Sequence, residues 1–159
     1  MNLKKTNAAR LLDGLKIPYE LRGFHVDDGL EMSAEVASEK SGFPLERVFK
    51  TLVARGDRKG ILVCCVSGGS ELHLKSLAAL SGNKKIEMVP VKEIKTLTGY
   101  IKGGVSPLGM KKIYPVYLDE KAFLYSTIMI SAGEWGLQIV IDPRNLVRAV
   151  NAVSGKITE

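Results

Sequence analysis

The sequence predicts an α+β domain built around a mixed sheet. Apolar runs rich in β-branched residues, such as Thr51-Leu52-Val53-Ala54 and Ile61-Leu62-Val63-Cys64-Cys65-Val66, read as strands. Segments with helical apolar spacing, Leu72 to Leu80 and Val91 to Leu97, stop at Gly82 and Gly99. The two kinds of segment do not alternate as strand–helix–strand units, which argues against a doubly wound sheet. A chain of 159 residues with 45% apolar residues suits one compact domain, residues 1–159.

Thr6 or Asn7 caps a first helix through Ala8, Ala9, Leu11 and Leu12 that ends near Gly14. Ile17 to Arg22 alternates as a strand does, and Asp27-Asp28-Gly29 is a turn. Ser33 caps a second helix, closed by Gly42, and Pro44 opens a helical turn from Leu45 to Phe49. Gly56-Asp57-Arg58-Lys59-Gly60 joins the two long apolar runs into a hairpin. Ile86 to Val89 forms a short strand. Tyr114 to Leu118 is another strand, and Pro115 within it marks an edge. Ser126 to Ser131 and Leu137 to Ile141 are strands around Gly133-Glu134-Trp135-Gly136. Asp142 then caps a last helix, with Pro143 at its first position, running to Val153.

The chain carries 23 Lys and Arg against 17 Asp and Glu, a net charge of +6 that favours polyanionic partners. No run of about 18 apolar residues suits a membrane span, and the polar N-terminus lacks a signal peptide's apolar stretch. Adjacent Cys64 and Cys65 point to opposite faces of a strand and are poor disulfide partners, which suits a reducing, cytoplasmic setting. His25 and His73 stand alone, so no Cys/His cluster has metal-ligand spacing and no cofactor is expected.

The densest cluster of special residues is Gly103-Gly104-Val105-Ser106-Pro107-Leu108-Gly109. Its plain reading is a tight turn; its chemical reading is a concave row of N–H donors for an anion or a polarised carbonyl. Lys50, at the mouth of an apolar strand, either snorkels to water or reaches a substrate oxygen. Thr51 places a hydroxyl beside it or simply fills the strand. Ser131-Ala132-Gly133 is a turn or a hydroxyl presented by small neighbours. Tyr19 either packs half-buried on its strand or lines a pocket. No serine sits in a nucleophile elbow, and neither histidine has an evident acid partner.

Together, in this order, Lys5-Thr6-Asn7-Ala8, Ile17-Pro18-Tyr19, Phe49-Lys50-Thr51-Leu52, the glycine loop and Ile130-Ser131-Ala132-Gly133 resemble the YbaK family of bacterial aminoacyl-tRNA deacylases. The similarity runs from about Lys4 to the last helix, and the nearest branch is the free-standing Cys-tRNA(Pro) deacylases. Related domains are inserted in bacterial prolyl-tRNA synthetases.

The resemblance implies a curved, barrel-like sheet with helices around it. It implies a functional Lys50, a catalytic loop at Gly103 and Gly104, and substrate contacts at Tyr19, Thr51, Ser106, Pro107, Ser131 and Gly133. It also implies an aminoacyl-tRNA acceptor end as ligand, with prolyl-tRNA synthetase as a partner. In that family the substrate's own thiol is thought to cleave its ester, so no protein nucleophile is needed. A deacylase for another amino acid using activated water, and a non-catalytic module holding a tRNA 3′ end, are the alternatives.

Overall fold

The computed structural model describes residues 3–159. Helix α1 (Asn7–Gly14) is capped by the Thr6 hydroxyl, which accepts from the Ala9 N–H. Strand β1 (Glu20–Gly23) follows. It begins later than the alternation of Ile17 to Arg22 suggests, because only Glu20 to Gly23 find partners on β7 (Leu137–Ile141). Helix α2 (Ala34–Ser41) runs from the Ser33 cap to Gly42, whose φ of 80° ends it. The 3₁₀ turn after Pro44 covers only Leu45–Arg47, because Phe49 already belongs to a strand.

The hairpin of β2 (Phe49–Gly56) and β3 (Gly60–Ser67) is in register from Phe49↔Ser67 to Gly56↔Gly60. Helix α3 (Leu74–Ser81) is capped by His73, whose Nδ1 accepts from the Ser76 N–H, so this histidine serves the fold. Strand β4 (Ile86–Met88) and helix α4 (Val91–Thr98) lie where the pattern places them. So does β7; β6 (Ile128–Glu134) runs past the expected Ser131, and helix α5 (Pro143–Val150), with its Asp142 cap, stops short of the expected Val153.

Two sheets result. β7 lies between β1 and β6, all antiparallel, while the second sheet has the order β4-β2-β3-β5-β8. They meet at a parallel bridge between Val48 and Met129. The main core fills the space between them with Phe49, Val63, Cys65, Leu118, Ile130, Ile139 and their neighbours. A second cluster packs Cys64, Val66 and Leu62 under Leu77 of α3. Cys64 and Cys65 therefore do face opposite ways, each into a different core.

One expectation fails at β5 (Val116–Asp119). It is not an edge: β3 and β8 (Val153–Gly155) flank it, both parallel. Pro115 stands just ahead of the strand, where its missing N–H costs nothing and its carbonyl accepts from the Val63 N–H at 2.9 Å. Strand β8 exists because α5 stops at Val150, with Asn151 in the left-handed region at φ 52°.

Asp119 ties the C-terminal segment down. Fully buried, its Oδ1 accepts from the Ile157 N–H at 2.9 Å and the Thr158 hydroxyl at 3.2 Å. Asp119→Ala would strand these buried donors and should lower stability by about 2–3 kcal/mol, read from urea unfolding.

Candidate functional site

Because β4 is short, β2 keeps an open strand edge. β4 pairs with only Ala54 to Gly56 of β2, and the bridge to β6 lies at Val48. Between them, residues 49–53 border a cavity of about 330 Å³, within the range of small-ligand pockets. α2 supplies Ala34, Glu35 and Ala37, the β4–α4 corner supplies Met88, Val89, Val91 and Ile94, and the glycine loop supplies Gly103 and Val105. Ser131 and Gln138 come from β6 and β7.

Lys50 with Thr51, Gly103 and Ser131, from three separate stretches of the sequence, thus share one cavity. Lys50 is half-buried and pairs with Val66 in the ladder. Among the described residues no carboxylate lies within ion-pair distance of Lys50 or of Lys102 at the rim. The Thr51 hydroxyl lies 3.8 Å from the Cys65 sulfur. Burial pushes the Cys65 thiol up to about 12, against a small downward pull from Thr51, and raises Cys64 further still. Both stay protonated near neutral pH, and a protonated thiol is a poor nucleophile.

The loop is held by its carbonyls. Ile101 to Gly104 is a turn in which the Gly104 N–H donates to the Ile101 carbonyl at 2.9 Å, with Gly103 at φ 83°. The Ser131 hydroxyl donates to the Gly104 carbonyl and accepts from the Gly133 N–H, both at 3.0 Å. Tyr100 donates to the Leu108 carbonyl at 2.7 Å, and its ring lies so close to Gly133 that a Cβ there would meet it at 2.6 Å. The indole N–H of Trp135 donates to the Lys102 carbonyl at 2.9 Å.

Five of the predicted site residues do not line this cavity. The Gly104 amide is spent in the turn and is not offered to a ligand; within the loop, the N–H groups left without an acceptor among the described residues are those of Gly103, Val105, Ser106 and Gly109. The Ser106 side chain is fully buried, where its Oγ accepts from the Leu108 N–H, and Pro107 is buried beside it. Tyr19 does not border this cavity. It lies at a separate depression, where its hydroxyl donates to Asp13 and accepts from Lys5. Hydrogen bonds from Lys5 and then Tyr19 hold Asp13 below the usual carboxylate range, on an exposed surface where such pairs add little stability. Gly133 sits at the bulge of β6 at φ 104° and supports Tyr100 rather than bordering the cavity.

A family model described as the aminoacyl-tRNA editing domain matches residues 30–149, three quarters of the chain and every cavity-lining segment. This chain belongs to the aminoacyl-tRNA editing domain family. Over 155 residues it is 44% identical to the Enterococcus faecalis protein named “Putative Cys-tRNA(Pro)/Cys-tRNA(Cys) deacylase EbsC”, covering 98% of this chain and 94% of that one. A proline–tRNA ligase of Pelotomaculum thermopropionicum is 26% identical over 114 residues, 72% of this chain and 15% of the ligase. The fold of this editing-domain chain matches the crystal structure of “a putative trans-editing enzyme for prolyl tRNA synthetase” with a TM-score of 0.81, at 24% identity and over 97% and 98% of the two chains.

Two outcomes test the loop's construction. A Cβ on Gly103 would have a strained φ and lie 2.6 Å from the Met32 carbonyl, whereas on Gly104 its nearest neighbour would be Trp135 Cδ1 at 3.3 Å. Gly103→Ala should therefore cost at least about 1 kcal/mol in thermal or urea unfolding, and Gly104→Ala clearly less. Burial pushes the Tyr100 phenol up to about 12. A folded-state value raised above the unfolded one gives stability that is complete below about pH 10 and lost as pH rises toward about 12. The stability gap between the wild type and Tyr100→Phe should accordingly be widest at neutral pH and narrow across that alkaline window.

Proposed function

We propose that this chain, acting as one editing domain, deacylates mischarged aminoacyl-tRNA, with the cysteinyl ester of tRNA(Pro) as its preferred substrate. The observation that carries the reading is the cavity's chemistry. It joins a lysine free of carboxylate partners to a loop with unused amides, and the protein's own thiols are buried and protonated. Such a site can hold and polarise an ester, but its nucleophile must come from elsewhere. Membership of the editing family and the 44% identity to a protein named for Cys-tRNA(Pro) deacylation support the choice of substrate.

In the reaction, the substrate thiolate attacks its own ester carbonyl. A sulfur–carbon bond forms, the carbon–oxygen bond to the terminal ribose breaks, and the thiol's proton ends on the ribose oxygen. The cyclic thiolactone released is then opened by water. A cysteine thiol is a few per cent thiolate at neutral pH and intrinsically nucleophilic, so proximity is the main requirement. The N–H groups of Gly103 and Val105 stabilise the developing oxyanion, each worth roughly 3 kcal/mol in such a role. Lys50 draws the carbonyl or the 3′-terminal oxygens by charge, and Ser131 holds the loop at Gly104. The +6 charge grips the acceptor stem through phosphates, with little base readout. The segmental likeness to a proline–tRNA ligase supports prolyl-tRNA synthetase as the protein that hands over the charged tRNA in the cytoplasm.

Hydrolysis of purified cysteinyl-, alanyl-, prolyl- and seryl-tRNA(Pro) tests this. Cysteinyl-tRNA should be cleaved fastest and seryl-tRNA slowly. Lys50→Ala should lower the single-turnover rate by about 100-fold with an unchanged melting curve, while Cys64→Ala and Cys65→Ala keep the rate of the folded protein. Rapid cleavage of the seryl ester would point to activated water, and no cleavage of any ester to a binding module.

A further inference from the structure

Gln138 lies on β7 between Arg22 of β1 and Ser131 of β6, and borders the cavity. It is 4% exposed, yet among the described residues its side-chain amide has no hydrogen-bond partner. Every fully enclosed side-chain nitrogen or oxygen among those residues does have one. The Gln138 amide must therefore reach the cavity surface, whose wall Met32, Ala37 and Val48 also line. A buried amide with nothing to bind is worse than an apolar side chain of its size.

The cavity wall is rich in donors: Lys50, Lys102 and the amides of Gly103 and Val105. Acceptors are fewer: the Glu35 carboxylate lies on the exposed side of α2, and two others lie deeper. One is the Gln138 Oε1. Another is the Thr51 carbonyl: the Val53 carbonyl faces β4, accepting from the Val89 N–H at 3.1 Å, and strand periodicity turns Thr51 to that same edge, beyond the last residue β4 covers. An aminoacyl ester offers the reverse inventory, a carbonyl that accepts and one strong donor, its α-amino group.

We propose that Gln138, with the Thr51 carbonyl, receives the substrate's α-amino group and so turns the ester carbonyl toward Lys50 and the loop amides. The neutral amide accepts from either protonation state of the amine. This role makes Gln138 a binding and positioning residue, and it rests on the aminoacyl-ester reading above.

Binding to non-hydrolysable 3′-amide analogues of the terminal adenosine tests it without turnover. One analogue carries cysteine and the other carries 3-mercaptopropanoate, which lacks only the amine. The wild type should bind the cysteinyl analogue at least about tenfold tighter. Gln138→Met, matched in length and incapable of the bond, should bind both with the weaker affinity, whereas Gln138→Glu, which keeps an acceptor, should retain the preference. A Gln138→Met protein that melts normally and still prefers the amine overturns the proposal; so does Gln138→Glu losing the preference, which keeps the test open if the methionine variant does not fold. A wild type that binds both analogues equally overturns it alone. A wild type that binds neither overturns the aminoacyl-ester reading as well.

Discussion

The phenol of Tyr100 is the contact on which the site's shape depends. One hydroxyl reaches two consecutive carbonyls, of Leu108 at 2.7 Å and Gly109 at 3.1 Å, closing the loop that begins three residues after it. Its ring occupies the space that a side chain at position 133 would need. Glycine at 133 and tyrosine at 100 are thus one solution to one packing problem, with the β6 bulge making room. Ser131 then fastens the loop's other end through the Gly104 carbonyl.

The cavity exists because one strand stops early. If β4 continued past Met88 along β2, its backbone would fill the space that the open edge at Thr51 now borders. Val89 and Val91 instead turn into α4 and become wall. The residues on that wall come from six elements or loops: α2, β2, the β4–α4 corner, the glycine loop, β6 and β7. The sheets supply rigidity, and the loop supplies free amides.

Most elements were legible because their signals are local. Thr6, Ser33 and Asp142 cap helices, Gly42, Gly82 and Gly99 end them, and the β2–β3 hairpin reads directly from its apolar runs. Strand β8 was not, because three residues of mixed polarity carry no periodicity, and without it Pro115 reads as an edge signal. In the site, Lys50, Thr51, Gly103 and Ser131 stand in recognisable motifs. Gln138 was hidden by its own pattern: within Leu137 to Ile141 alternation assigns it to a wet face, and only the tertiary placement of α2 over that face makes it buried. The difference between the Gly103 and Gly104 amides is likewise invisible in a Gly-Gly pair, since it depends on which one closes the turn.

The chain has one tryptophan, and it is Trp135. Its indole N–H is bonded to the carbonyl of Lys102, at the cavity rim, and the ring covers Gly103 and Gly104 while keeping 38% of its surface in water. Its emission therefore has a single origin, at the place where a ligand would meet the loop. The unlabelled protein carries its own optical gauge of loop position, and any event that lifts the loop from the β6–β7 turn changes that indole's hydrogen bond and hydration together.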